Sequence, residues 1–277
     1  MNRVYITGVT GQLGGELKRL LPHAVYLTRD QINLNSEESI RAYFRDKKPS
    51  LIINCAAYTK VDCAETDYDS AFQVNAHAPS VLASLCDKFI HFSTDYVFDG
   101  TAHAPYNEHI IAAPSGVYGQ SKLLGEQLVQ KINPSSVIIR TSWVYSDLGN
   151  NFLKTMIKLG KERKTLKVVA DQIGTPTYAR DLAKLVFENG VKSWNFNSGI
   201  YHYSNEGVAS WYDFAHEIMD LMNIDCKVHP IPTSEYPTPA KRPHYSVLDK
   251  TKIKTDLKIE IPHWKQSLKQ CLKEMGG

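Results

Sequence analysis

Residues 8–14 read Gly8-Val9-Thr10-Gly11-Gln12-Leu13-Gly14, between a strand-like run at 3–6 and an amphipathic stretch at 13–21. Glycine belongs where a chain turns sharply, where backbone must approach a pyrophosphate, and where a helix packs close to a strand. The open N–H groups and the positive end of the helix that follows suit phosphate oxygens. The Gly-x-x-Gly-x-x-Gly spacing is a variant of the dinucleotide fingerprint. Its weight comes from standing at the first strand–helix junction of a βα chain.

Working outward, short apolar runs alternate with helical patterns through the first half of the chain. Candidate strands are residues 3–6, 24–27, 51–54, 89–93, 137–140 and 166–169, and candidate helices are 13–21, 37–47, 71–87 and 118–131. Runs of Val, Ile and Leu suit strands buried on both faces, so the pattern predicts an α/β fold, a Rossmann-like doubly wound parallel sheet. After about residue 170 the character changes. Helix-like segments at 180–188 and 211–222 are separated by loops containing Thr175-Pro176-Thr177 and Tyr236-Pro237-Thr238-Pro239. With no fixed-period repeat and no low-complexity linker, the expected division has a soft boundary. Residues 1–170 form an NAD(P)-binding domain, and 171–277 form mainly a smaller substrate-binding lobe, with some segments returning to the main sheet.

Composition narrows the class. The 277 residues are 43% hydrophobic and 22% charged, which is ordinary for a globular enzyme-sized chain. No apolar run approaches the roughly 20 residues needed to span a bilayer. No signal segment precedes residue 3, so a cytoplasmic protein starting near Met1 is expected. The five cysteines are widely spaced without Cys-x-x-Cys, and the ten histidines include no His-x-x-x-His, so neither disulfides nor a metal are expected. Residues 227–277 carry ten Lys/Arg against five Asp/Glu, although the whole chain is only +3. That excess fits solvated helix faces, and it also fits a lobe that receives an anionic substrate. Basic and aromatic residues do not interleave, so a nucleic-acid partner is not expected.

Tyr118-Gly119-Gln120-Ser121-Lys122 opens a helical stretch, and residues four apart share a helix face. A free phenol has a pKa near 10, and an ammonium about 4 Å away would stabilise the phenolate by about 4 kcal/mol at an effective dielectric near 20. That corresponds to about three pKa units, enough to bring Tyr118 into general acid/base work. At the carboxyl end of the fourth strand, Ser93 and Thr94 both offer a hydroxyl for a substrate carbonyl. Strand alternation turns one of them inward, and Thr94 is the preferred candidate. The second strand ends at Arg29-Asp30. The acid suits the ribose hydroxyls of NADH and the arginine suits the extra phosphate of NADPH, so the choice between NADPH and NADH stays open. Arg242 presents a rigid donor fork suited to a diphosphate, though it also fits a surface arginine beside a proline-rich loop.

With these residues in view, the chain resembles the extended short-chain dehydrogenase/reductase family, and closely its branch of dTDP-4-dehydrorhamnose reductases, over essentially its whole length. The resemblance rests on residues 8–14, 54–62, 93–98, 118–122, 140–145, Asp171-Gln172 and 236–243, the last being specific to the reductase branch. It implies NAD(P)H-dependent reduction of a nucleotide-linked 4-keto-6-deoxy sugar, the last step toward dTDP-L-rhamnose, a sugar that usually goes to cell-surface polysaccharide. Hydride would reach C4 of the sugar while Tyr118 protonates the oxygen. Lys122 would hold the nicotinamide ribose and tune Tyr118, and Thr94 would orient the carbonyl. By the same matching, Gly8, Gly11, Gln12, Leu13, Gly14, Asp30, Asn33, Leu34, Ala57, Tyr58 and Thr59 would line the cofactor. Thr94, Asp95 and Trp143 would touch the nucleotide-sugar substrate, although the Trp143 indole also fits plain core packing.

The resemblance has departures. Some reductases of this branch dimerise through magnesium held by carboxylates on the first helix and on a helix after the Thr-Pro-Thr loop. Glu16 matches the first position, but Arg180 stands at the second. A metal-bridged dimer is therefore not expected, a monomer or weak homodimer is, and Glu16 reads as a favourable charge at a helix N-terminus. Sister dehydratases resemble one another in an Asp-Glu pair after the catalytic Thr, whereas here Tyr96 follows Asp95. Another sugar-nucleotide reductase, an epimerase, or a non-catalytic NADP-binding regulatory subunit are the alternatives. Thr94, Tyr118 and Lys122 together argue for catalysis, because a binding module needs no proton donor.

Overall fold

A computed structural model describes residues 4–276, so Met1 and the Arg3 that begins the expected first strand lie outside the described residues. Strands β1 (Val4–Thr7), β2 (Val25–Leu27), β3 (Leu51–Asn54), β4 (Lys88–Thr94) and β5 (Val137–Thr141) join Gly199–His202 in one six-stranded sheet. Its order is Gly199–His202, β5, β4, β3, β1, β2, and every pairing is parallel. Alternation explains why both faces are covered. Ile6, Ile53, Ile90 and Ile139 pack on one face with Leu17 and Leu182. Tyr5, Ile52, Phe89 and Ile138 pack on the other with Ile40, Leu82 and Val129. Strands apolar on both sides must be wrapped by helices, as a parallel sheet requires. Helix α1 (Gln12–Leu20) leaves β1, and α2 (Glu37–Phe44) is capped by the Ser36 hydroxyl, with Glu37 and Glu38 in its first turn.

Strand order reverses at β1, which has β2 on one side and β3 on the other. The crevice at the carboxyl ends of β1 and β3 is where ligands enter such sheets.

One expected strand goes elsewhere. Thr165–Val169 pairs with Lys227–Ile231 in a separate two-stranded sheet instead of joining the main one. The sixth place is filled by Gly199–His202, whose Gly-Ile-Tyr-His sequence has no β-branched run to announce it. Its Tyr201 supplies apolar area to the core, and the phenol donates to Asp256 at 2.9 Å. Around the separate pair lie helices Phe152–Glu162, Trp211–Leu221 and Trp264–Glu274, with a core that includes Tyr145, Leu153, Tyr178, Phe214, Ile218 and Leu268. No helix among the described residues is long and apolar enough to cross a membrane.

The segment predicted as a helix over 71–87 starts earlier and is broken by a wider turn: Tyr68–Phe72 runs through a π-helical stretch, Gln73–His77, into Ala78–Ala83. The bulge brings the Asn75 carbonyl against helix Val117–Ile132, where a Cβ on Gly125 would lie 2.1 Å from it. Glu126, one residue on, receives Arg140 of β5 in a buried fork, at 2.9 Å from Nε and 2.6 Å from Nη2. Removing one partner strands the other charge in the interior. Arg140→Met should lower unfolding stability by about 3–5 kcal/mol, whereas Arg140→Met with Glu126→Leu should recover most of it, as read by urea denaturation.

Candidate functional site

The glycine loop divides its labour. Gly8 has φ +70, and a Cβ there would lie 2.5 Å from the Ala56 nitrogen, so both the turn and the approach to the end of β3 demand glycine. At Gly14 a Cβ would lie 2.3 Å from the Gly8 carbonyl oxygen, which makes it the contact between helix and strand. Gly11 is exposed and donates its N–H to the Gly8 carbonyl at 3.0 Å. It stands at the N-cap of α1 and brings no side chain to the first-turn N–H groups, an arrangement that suits an anionic oxygen. Leu13 follows in the first turn and packs against the core. Gln12 has another task. Its amide donates to the Val144 carbonyl at 3.1 Å and accepts from Asn151 at 2.8 Å, tying the loop to the segment that follows β5.

Past β2, Asp30 and Asn33 are exposed and Leu34 is partly buried against the core. Past β3, the backbone of Tyr58 is bracketed by one side chain: Asn75 accepts from its N–H at 2.8 Å and donates to its carbonyl at 3.1 Å. The same amide donates to Ser121 on helix Val117–Ile132 at 3.0 Å. Asn75 thus fixes the Ala57-Tyr58-Thr59 turn to the helix carrying Tyr118 and Lys122. It was missed in the sequence, where its signal is a lone amide among the alanines of a buried helix.

Tyr118 and Lys122 occupy the first two turns of Val117–Ile132. Tyr118 lies beside Thr94, and its ring meets that of Tyr96 edge to face at 5.6 Å. Thr94 also donates to Asp95 Oδ1 at 3.0 Å and accepts the Tyr96 N–H at 3.2 Å. Ser93, the other candidate, is buried with no partner for its hydroxyl among the described residues. Burial pushes the Tyr118 phenol well above its ordinary pKa, against the opposing pull of Thr94, and the Asp95 carboxylate pushes it further. The expected lowering by Lys122 is absent in this geometry. The Lys122 ammonium turns instead to the Phe92 carbonyl at 2.6 Å, a strong acceptor, with His91 Nε2 at 3.4 Å. Burial brings Lys122 down to about 8, with Glu126 opposing.

Asp95 is buried, and its Oδ2 has no partner among the described residues. Burial raises its carboxyl to about 6, while the nearby Ser246 and the hydrogen bond from Thr94 oppose the shift. Trp143 is half-buried at φ 47, a left-handed conformation, with its indole flat on Trp211 at 3.6 Å between centroids. A Cβ on Gly174 would lie 2.7 Å from that indole and 2.8 Å from the Ser246 hydroxyl. Trp143 therefore packs tightly, and Gly174 has the Trp143 indole and the Ser246 hydroxyl as its neighbours. Trp211, Gly174 and Ser246 carried no motif to reveal them.

Arg242 is not a loose surface side chain. It donates to Asp62 at 2.6 Å and to the Tyr96 hydroxyl at 3.1 Å, and the Tyr96 ring meets Tyr118 edge to face at 5.6 Å. Glu16 requires a correction. It is fully buried past the first turn of α1 and paired with Arg180 at 2.9 Å and Arg19 at 2.8 Å, so guanidinium groups, not the helix N-terminus, answer its charge. Arg180 also binds Glu274 of the last helix.

The family described as "RmlD substrate binding domain" matches residues 1–276. The chain is 40% identical to a dTDP-4-dehydrorhamnose reductase of Burkholderia thailandensis, over 99% of each chain. It superposes on the crystal structure of a dTDP-4-dehydrorhamnose reductase from Clostridium acetobutylicum with a TM-score of 0.94 at 41% identity, covering 99% of this chain and 100% of that one. A dTDP-4-dehydrorhamnose reductase from Bacillus anthracis, solved in complex with NADP, gives 0.93 at 38% identity over 99% of each chain.

A carboxyl raised in the fold favours folding while protonated, so Asp95 contributes stability below pH 4 that is lost as pH rises through about 6. The span from the usual value near 3.9 amounts to about 3 kcal/mol. The isosteric Asp95→Asn variant should gain stability relative to the parent between pH 4 and 6, as measured by urea denaturation at each pH.

Proposed function

The chain belongs to the RmlD substrate-binding-domain family, and on that premise we propose that it reduces dTDP-4-dehydro-L-rhamnose to dTDP-L-rhamnose with NADPH or NADH. The observation that carries the reading is the gathering of Thr94, Tyr96 and Tyr118 at the carboxyl end of β4, where Thr94 accepts the Tyr96 N–H at 3.2 Å and the Tyr96 ring meets Tyr118 edge to face at 5.6 Å, beside the crevice that the glycine loop opens. The cofactor, when bound, supplies the hydride that reaches C4 of the sugar.

This chain's residues do the rest. The bare N-cap at Gly11 and the first turn of α1, with Gln12 and Leu13, receive the cofactor pyrophosphate, while Gly8 and Gly14 hold that turn against β3. Asp30, Asn33 and Leu34 attend the adenine ribose, and Ala57-Tyr58-Thr59 lie along the cofactor. Lys122 exchanges its backbone acceptor for the nicotinamide ribose. Thr94 donates to the C4 carbonyl, and Tyr118 protonates the oxygen as negative charge develops there. A phenol held above its usual pKa stays protonated across the neutral range, which is the state a proton donor for reduction needs. Asp95 and Trp143 line the sugar side. Arg242 uses two contacts on Asp62 and Tyr96 and retains further N–H donors for the substrate diphosphate.

Residues 171–277 supply mainly the lobe over the sugar nucleotide, beside the dinucleotide-binding part in 1–170. The enzyme works in the cytoplasm as a monomer or weak homodimer. Five free thiols fit a reducing compartment, and Glu16 is already taken by two guanidinium groups.

The test is oxidation of NADPH and of NADH with dTDP-4-keto-6-deoxy-L-mannose, run beside the UDP-linked sugar. Stoichiometric cofactor consumption is expected, and interconversion of sugars without it would show an epimerase instead. Tyr118→Phe should lower kcat by about 10²–10⁴-fold; parent-like turnover would remove Tyr118 as proton donor. Arg242→Ala should act mainly on KM, by about one to two orders of magnitude for a charged hydrogen bond, and an unchanged KM would remove its diphosphate role.

A further inference from the structure

A line of buried polar side chains crosses the sheet beneath Lys122. Thr7 ends β1, Asn54 ends β3 and His91 lies in β4, and each of them is at most 1% exposed. Thr7 Oγ1 meets Asn54 Oδ1 at 2.6 Å and accepts the Ala56 N–H at 3.2 Å. Asn54 Nδ2 meets His91 Nδ1 at 3.0 Å, and His91 Nε2 meets Lys122 Nζ at 3.4 Å. Polar groups in the middle of an apolar sheet are costly unless every one is satisfied, so the chain of contacts has one favoured proton arrangement.

That arrangement follows from the contacts. A separation of 2.6 Å is the length of an O–H···O bond and short for N–H···O, so the Thr7 proton goes to Asn54 Oδ1. The amide nitrogen of Asn54, a donor only, then faces His91. His91 Nδ1 accepts, which leaves the ring proton on Nε2, aimed at Lys122. An ammonium has no lone pair to accept that N–H, whereas a neutral amine has one. The ring therefore opposes the charged form of Lys122. The Phe92 carbonyl, accepting at 2.6 Å, favours the charged form.

We propose that Thr7, Asn54 and His91 form a positioning relay that holds His91 as its Nε2–H tautomer and so keeps Lys122 poised between ammonium and amine. The proposal rests on Lys122 serving at the reaction centre, and it adds three residues outside that centre. The other ionisable groups around Lys122 are few: Tyr118 one turn back, Glu126 one turn on, and Arg140 of β5, whose charge Glu126 takes up. Burial acts in the same direction as the relay, lowering Lys122 and, together with the Lys122 charge, holding His91 neutral.

Asn54→Asp tests the relay with little change in shape. A carboxylate beside Nδ1 takes the ring proton there, leaves the Nε2 lone pair facing Lys122, and should raise the lysine's proton affinity tenfold or more. Two readouts decide the matter, with thermal melting of each variant as the check on folding. In the folded protein without substrate, ¹⁵N-histidine spectra should show His91 as Nε2–H in the parent and Nδ1–H in Asn54→Asp, and the Lys122 ¹³Cε titration should move up by at least one pH unit. In the reductase assay, the limb of the kcat/KM pH profile assigned to Lys122 should move the same way, while Asn54→Gln, which keeps the amide, should leave the tautomer as in the parent. A parent His91 found as Nδ1–H, or a Lys122 titration unmoved in Asn54→Asp, overturns the relay. Should the spectra behave as expected while no keto-sugar is reduced, the relay stands and the proposed activity falls.

Discussion

The seating of helix Val117–Ile132 is the constraint on which the rest depends. Gly119, Lys122, Gly125 and Glu126 recur at helical spacing on its buried face. Two are glycines because backbone arrives where a side chain would be: a Cβ on Gly119 would lie 2.2 Å from the Tyr96 carbonyl, and one on Gly125 would lie 2.1 Å from that of Asn75. The other two are charged residues held by partners on strands. Glu126 takes the Arg140 fork from β5 and Lys122 takes the Phe92 carbonyl from β4. Glycine inside a helix costs roughly 1 kcal/mol each relative to alanine. Here that cost is offset by approach close enough to bring Tyr118 to the Thr94 hydroxyl.

The same principle governs the other side of the crevice. Gly8 and Gly14 press α1 onto the ends of β1 and β3, and the Cβ distances of 2.5 and 2.3 Å leave no room for a methyl group. Gly11, by contrast, faces outward. One loop thus contains two glycines that serve packing and one left exposed. The π-helical bulge at Gln73–His77 joins the two sides, since Asn75 bonds both the Tyr58 backbone and Ser121. The glycine loop, the turn after β3 and the helix carrying Tyr118 and Lys122 are therefore joined by hydrogen bonds and van der Waals contact.

The segments beyond β5 reach these elements through a few specific ties. Gln12 holds the Val144–Asn151 region, Arg242 holds Asp62 and Tyr96, and Arg180 joins α1 to the last helix. Trp143, at φ 47, accepts a conformation that few non-glycine residues adopt; the stack on Trp211 and the bare Gly174 beneath it hold it there.

Local pattern was enough to read the doubly wound fold, the glycine loop and the Tyr118/Lys122 face, because each depends on spacings within one turn or one strand–helix junction. Periodicity misplaced Thr165–Val169 and overlooked Gly199–His202, since sheet membership is decided by which partner strand is free, a property of chains far apart in sequence. It was silent on Asn75, His91, Ser246 and Trp211 for the same reason: a polar or aromatic side chain inside an apolar run reveals its role only when its partner is known. The sequence by itself determined which groups stand four residues apart on one helix. Only the tertiary structure decided that Lys122 faces Phe92 and His91 and that Arg242 faces Asp62, because hydrogen bonds in a buried site go to whatever donor or acceptor the fold brings within about 3 Å.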